Sequence, residues 1–247
     1  MSALRVDVAL LPSLREPGDG AVIVIDVLRA TTSLAAVFAG GAAEVIVCGS
    51  LRAARGAAAA LERAGARPLL FGETRSRRPK GFDFGNSPVE LSRAVLRGRT
   101  LVCATTNGTR AFLSVRDAGA VFAGALVNRE AALRAALDEA RDGRLTLLCA
   151  GREAGSRIAL EDVVAAGAFV ELALGEGVEP TDEALLALGL WRAYGGDALA
   201  AFRDTSHGRE LEILGFGDDL RFAARLDVFG VAPLLTRRAG FLALAAS

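Results

Sequence analysis

AVIVIDVLRATTS, residues 21–33, decides the class of this chain. Residues 21–25 form an unbroken apolar run that Asp26 ends, Arg29 follows three positions later, and Thr31, Thr32 and Ser33 open a helix. A strand with no polar alternation is buried on both faces, which is the habit of a largely parallel sheet sandwiched between helices. Working outward, LVCATTNGTR (101–110) repeats the device and residues 145–162 carry a variant of it. Apolar runs near 4–10, 43–48, 68–71, 99–104, 120–124 and 144–150 read as further strands. Helices are expected over 32–38, 51–63, 129–141 and 160–174, the first three closed by Gly40-Gly41, Gly65 and Gly143. Residues 176–208 read as more helical, and 215–219 as a loop. The expected fold class is α/β, a three-layer α/β/α arrangement with a largely parallel or mixed sheet.

IVIDVLRATTSLAAVFAGGAAEVIV (23–47) aligns with LVCATTNGTRAFLSVRDAGAVFAGA (101–125) as strand, polar turn, helix, Gly-Ala and strand. A duplicated βαβ unit would produce this, and so would two ordinary βαβ segments. With no Pro, Gly or Ser-rich linker long enough to free a domain, residues 1–247 are expected to form one unit. Two similar subdomains dividing within about 90–100 are the alternative.

Composition narrows the function. Lys plus Arg equals Asp plus Glu at 29 each, so no net field draws nucleic acid or an anionic membrane, and any anion must be held by local groups. Hydrophobic residues reach 52% and the mean hydropathy is +0.36, yet no apolar run nears the ~20 residues of a spanning helix. The first twenty residues mix acids and prolines where a secretory signal needs a basic start and a clean apolar segment, so the expected compartment is the cytoplasm. Cys48, Cys103 and Cys149 are odd in number and each sits near the end of an apolar run, as buried reduced thiols do.

The polar turns carry the chemistry. In α/β sheets ligands gather beyond the carboxyl ends of strands, where helix N-termini offer free amides. Asp26 in that place can hold a hard divalent cation through oxygen or cap the following turn. Arg29 can pair with Asp26 or with a substrate anion, and Thr31, Thr32 and Ser33 can bind or merely cap. The turn of Thr105, Thr106, Asn107, Gly108, Thr109 and Arg110 combines hydroxyls, an amide, close backbone approach and a fixed charge, a set suited to phosphate. Adjacent acids Glu161 and Asp162 open a helix, and because neighbours diverge by about 100° only one is expected to face Asp26. The loop 80–88, preceded by Gly72-Glu73, offers Asn86 and Ser87 to a ligand. His207, the only histidine, is a candidate proton donor with no partner identifiable in the sequence. Two phosphatase schemes are disfavoured: Cys103 and Arg110 have six residues between them rather than the five of the cysteine phosphatase loop, and Asp26 is followed by Val27 and Leu28 rather than by a second acid.

VIVIDVLRATTS, GFDFGNSPVEL, TTNGTRAF, CAG followed by LEDVVAAG, and SHGRELEILGF with a later DVFGVAP together resemble the 2-phosphosulfolactate phosphatase family, the ComB-like proteins, from about residue 5 to residue 235. The resemblance implies an α/β enzyme that uses Mg2+ to hydrolyse (2R)-phospho-3-sulfolactate to 3-sulfolactate and phosphate, a step of coenzyme M synthesis in methanogens. Asp26, Arg29, Thr31 and Thr32 match its first motif, Asn86 and Ser87 its second, and Thr105 to Thr109 its third. Thr74-Arg75-Ser76-Arg77-Arg78 departs from the Arg and Gly-rich turn common in the family, Ala159 replaces a frequent Ser, and 153–157 is lengthened. The working expectation is a Mg2+ site built from Asp26 and one of Glu161 or Asp162, with Glu73 as a further acid, and Arg29 and Arg110 on the phosphoryl group. A phosphatase for another small phosphorylated hydroxy acid, and a non-catalytic anion or nucleotide module, are the alternatives. The apolar stretch 230–246 could complete the core or cover a partner, and a homodimer is an expectation too.

Overall fold

The computed structural model describes residues 4–18, 20–140, 142–238 and 241–246. Ten strands form one sheet: β1 (Arg5–Ala9), β2 (Ala21–Ile25), β3 (Glu44–Val47), β4 (Leu69–Gly72), β5 (Thr100–Ala104), β6 (Ala120–Gly124), β7 (Arg144–Cys149), β8 (Glu179–Pro180), β9 (Leu234–Arg238) and β10 (Phe241–Ala245). Ten α-helices accompany them: α1 (Ala30–Ala39), α2 (Leu51–Arg63), α3 (Pro88–Ser92), α4 (Gly108–Ser114), α5 (Arg129–Glu139), α6 (Leu160–Gly175), α7 (Asp182–Ala193), α8 (Ala198–Asp204), α9 (Ser206–Ile213) and α10 (Gly217–Ala223). The strand order is β4-β5-β3-β10-β9-β6-β2-β7-β1-β8. Two parallel sets, β4-β5-β3 and β6-β2-β7-β1-β8, flank the β9/β10 hairpin, which is antiparallel to both neighbours.

The expected α/β class and mixed sheet hold, and the seven strands fall where the apolar runs place them. The differences are local. Residues 217–219 of the loop expected over 215–219 open the helix α10, because Asp218 and Asp219 in the first turn favour the helix N-terminus and Leu220 and Ala223 bury one face. The helix expected over 129–141 ends at Glu139, with Arg141 outside the described residues. Within 230–246 the described residues form the hairpin that completes the sheet core, with Ala243 and Leu244 buried; residues 239 and 240 lie outside the described residues.

The aligned segments behave differently from βαβ units. β2-α1-β3 starts in one parallel set and ends in the other, and β5-α4-β6 makes the same exchange in reverse. β5 keeps company with β3 and β4, whereas β1 and β2, before residue 26, and β6 to β8, from residue 120 on, form the other set, so no cut within 90–100 separates the two sets.

Alternation along the strands builds the layers. Ile23 and Ile25 face one cluster with Val6, Leu145, Leu147 and residues of α5 to α8, whereas Val22 and Val24 face another. That second cluster also takes Val45, Val47, Phe71 and Leu101 from the opposite set, with Leu34 and Val37 of α1 and Phe112 of α4 between them. Both sets therefore close on α1, which is buried from Ala30 to Phe38 and apolar all round past its hydroxyl turn. α2 covers the far side of β3 and β5 through Ala54, Ala57 and Ala58. This closure brings the carboxyl ends of β2, β4, β5 and β7 together. No helix among the described residues is long and apolar enough to cross a membrane.

Candidate active site

The turn after β2 is fixed by its own hydroxyls. Thr31 Oγ1 accepts from the Asp26 amide at 3.1 Å, the Thr31 amide donates to the Asp26 carbonyl at 2.9 Å, and Thr32 Oγ1 donates to the Val27 carbonyl at 2.7 Å. Both threonines are fully buried and their hydroxyls hold the turn, as in the capping alternative. Ser33 does similar work, its hydroxyl donating to the Asn86 carbonyl at 3.1 Å and drawing the 80–88 loop onto α1.

Asp26 is left with a carboxylate at the edge of a cavity of about 460 Å³, also lined by Arg29, Glu73, Arg75, Asn86, Thr105, Thr106, Asn107, Arg152, Glu153, His207 and Glu210. The second polar turn arrives from β5. Thr105 and Thr109 bond each other's backbone, with the Thr109 amide donating to Thr105 Oγ1 at 3.1 Å and Thr109 Oγ1 donating to the Thr105 carbonyl at 2.8 Å. Gly108 then passes so close to Asp26 that a Cβ there would lie 2.7 Å from Asp26 Oδ2, so only glycine fits. The Asn107 side chain accepts from the Ala154 amide at 2.9 Å, linking this turn to the loop after β7. Arg110 is exposed and lines a neighbouring cavity with Pro12 and Leu113 instead.

From β4 comes Glu73. Its two oxygens accept from the amides of Thr106 at 2.6 Å and Ser76 at 3.0 Å. The Arg29 guanidinium donates to Asp219 at 2.7 Å and to the Ser76 carbonyl at 2.7 Å, and lies 4.2 Å over the Phe216 ring. Asp219 also accepts from Ser87 Oγ at 2.6 Å, so Ser87 anchors Asp219 while Asn86 faces the cavity. Asn86 Oδ1 is buried with no partner among the described residues. A buried amide oxygen left orphaned next to a cavity is what a bound ligand donor would satisfy.

The acid pair opening α6 divides its work. Asp162 accepts from the Val27 amide at 2.9 Å and the Gly151 amide at 3.2 Å, tying the ends of β2 and β7 to α6. Glu161 Oε1 lies 2.9 Å from His207 Nδ1. A carboxylate can only accept, so Nδ1 carries the proton and Nε2 is the ring nitrogen left for the cavity. Neither acid lines the cavity itself; Glu161 acts on it through the imidazole. Burial raises the Asp26 pKa from 3.8 to about 6, the Ala30 amide and His207 oppose it, and Glu73 and Glu161 add to it. Burial, with Asp26 and Glu161 alongside, pushes Asp162 well above the usual carboxylate range. The three cysteines are free and buried, and burial raises all three thiols, Cys48 to about 11.

The cavity lining holds four carboxylates, Asp26, Glu73, Glu153 and Glu210, against three guanidiniums, Arg29, Arg75 and Arg152. A polyanion entering such a lining needs a compensating cation. Hard oxygen donors suit Mg2+, which commonly takes one or two protein carboxylates and completes its shell with water and phosphate oxygens. Among the described residues no group of three or more acids, histidines or cysteines is placed to hold a metal ion. A second cavity of about 390 Å³, lined by Arg5, Arg15 and Arg144, has each of those arginines already paired, with Glu179, Asp117 and Asp142.

Sequence reasoning alone missed Arg152, Glu210 and Asp219. Arg152 donates to Glu210 at 3.2 Å, and Glu210 and Asp219 stand on short helices where acids read as ordinary surface charge.

Residues 9–238 match the model of the 2-phosphosulpholactate phosphatase family. The chain is 40% identical to a probable 2-phosphosulfolactate phosphatase of Deinococcus radiodurans, over 94% of this chain and 93% of that one. It is 38% identical to proteins of the same description from Thermus thermophilus, over 96% of both chains, and from Synechococcus, over 89% and 88%.

Proposed function

The chain belongs to the 2-phosphosulfolactate phosphatase family, and from that premise we propose that it hydrolyses (2R)-phospho-3-sulfolactate to 3-sulfolactate and phosphate, with Mg2+, at the Asp26 cavity. It is a phosphoric monoester hydrolase by that membership. The observation that carries the reading is the meeting of Asp26 with the Thr105–Gly108 turn, two strand ends about eighty residues apart in the chain, around one cavity.

Asp26 would hold the ion, with Glu73 as a further acid on the lining although its two oxygens already accept from the Thr106 and Ser76 amides; Glu161, bonded to His207, and Asp162, bonded to two amides, do not line the cavity. Bound there, Mg2+ would polarise the phosphoryl oxygens and offset their charge. Arg29, fixed by Asp219, faces the charge that develops on the equatorial oxygens, and Asn86 and the polar turn of Thr105 to Asn107 orient the ester. Water attacks phosphorus, the bond from phosphorus to the C2 oxygen breaks, and the imidazolium of His207 gives its Nε2 proton to the departing alkoxide. One water proton stays on phosphate and the other restores His207. Glu161 keeps the ring turned through the contact to Nδ1. Coenzyme M synthesis is the pathway this chemistry fits.

The test is phosphate release from phosphosulfolactate with Mg2+ and with EDTA. Release that needs Mg2+ is expected. Full activity in EDTA removes the metal from the mechanism, and binding of the ester without any release makes the protein an anion-binding module.

A further inference from the structure

The turn at 74–77 has an unexpected sequence for its shape. Arg75 and Ser76 have φ of 50° and 63°, and Thr74 and Arg77 close the turn with amide-to-carbonyl bonds of 3.0 and 3.2 Å. Two left-handed central residues make the tight hairpin turn for which Asn-Gly or Gly-Gly is the unstrained choice. Here the surroundings impose it. Glu73 accepts from the Ser76 amide at 3.0 Å, Arg29 donates to the Ser76 carbonyl at 2.7 Å, and Ser76 Oγ donates to Glu210 at 3.4 Å. Ser76 is thereby fastened to the same groups that build the cavity, and Arg75, exposed, stands on its rim.

The three guanidiniums of the lining are not equivalent. Arg29 is held by Asp219 at 2.7 Å and Arg152 by Glu210 at 3.2 Å. Among the described residues neither a carboxylate nor a hydrogen-bond acceptor occupies Arg75. A ligand anion can pair with Arg75 without first breaking a bond, and a planar fork suits both carboxylate and sulfonate.

We propose that Arg75 is a specificity-determining residue, reading a second anionic group that the substrate carries beside its phosphate. The inference rests on the phosphatase reading above and assigns it a residue outside the motif matches.

The test uses the full chain, its Arg75→Ala and Arg75→Lys variants, and three esters with Mg2+: phosphosulfolactate, 2-phospholactate, which has the carboxylate alone, and p-nitrophenyl phosphate, which has neither acid. In Arg75→Ala the ratio of kcat/KM for phosphosulfolactate over p-nitrophenyl phosphate is expected to fall about tenfold or more, with partial recovery in Arg75→Lys. A fall for phosphosulfolactate alone assigns the sulfonate, and a fall for both acids assigns the carboxylate. An unchanged ratio, with or without an equal loss on every ester, overturns the proposal. Calorimetric affinity for 3-sulfolactate reads the same contact without turnover. If the wild type cleaves none of the esters, the phosphatase reading falls, and the calorimetry still decides: weaker binding by Arg75→Ala supports the proposal, and equal or absent binding overturns it.

Discussion

Asp26→Asn in the metal-free protein should make the chain more stable while nearly abolishing turnover. Burial is the main reason the Asp26 carboxyl moves from 3.8 to about 6, with Glu73 and Glu161 adding to it against the Ala30 amide and His207. A carboxyl whose folded pKa exceeds its unfolded value binds its proton more tightly in the native state. Its favourable contribution is therefore complete below about pH 4, declines as pH rises toward 6, and is lost above that. At 1.36 kcal/mol per pKa unit, the charged form then stands about 3 kcal/mol less favourable in the folded protein than in the unfolded chain. Asn has the same shape, is neutral at every pH, and keeps an oxygen to accept from the Ala30 amide at 3.3 Å. At pH 8 in EDTA the variant should exceed the wild type by up to about 3 kcal/mol, or roughly 6–12 °C in Tm. Near pH 4.5 the gap should shrink. Urea denaturation at both pH values, beside phosphate release, measures it. Added Mg2+ should raise the Tm of the wild type and not of the variant. Equal stability at pH 8 would refute the buried, uncompensated charge, and wild-type turnover in Asp26→Asn would refute its role.

Two further outcomes follow from buried partners. Asp219→Ala strands the Arg29 guanidinium and should cost about 3–5 kcal/mol in denaturation, whereas Arg29→Met with Asp219→Leu should regain most of that and remain inactive; an Asp219→Ala chain as stable as the wild type rejects the pair. His207→Gln should lower kcat about 10²- to 10⁴-fold on phosphosulfolactate and less on p-nitrophenyl phosphate, whose leaving group departs without a proton. Equal losses on the two esters would rule out proton donation by His207.

The strand-and-turn grammar is legible because it is local. A five-residue apolar run ending in Asp26 announces a buried strand, and a glycine within a turn of Thr and Asn suggests close approach to a ligand, whereas the neighbour that Gly108 approaches in the structure is Asp26 itself. Which turns meet is not local. The sheet closes on α1 through long-range packing, and that closure decides that Thr106 reaches Glu73 while Arg110 looks elsewhere. The partner of His207 was invisible for the same reason, because Glu161 lies 46 residues away on another helix. Thr31 and Thr32 show the converse limit: a hydroxyl at a strand end has the same spelling whether it binds a ligand or its own backbone, and here it does the latter. Residues 215–219 mislead because glycine and paired acids read as a loop, whereas 217–219 open a helix once Leu220 and Ala223 find a core.

The β9/β10 hairpin sits in the middle of the sheet although it is encoded after every other strand. Until residues 234–245 have been synthesised, β3 and β6 each keep a bare edge of unpaired amides and carbonyls, the kind of surface that recruits strands from other chains. Pairing of β10 with β3 and of β9 with β6 is what covers those two edges, so the last-made segment of the chain closes the seam on which both parallel sets depend.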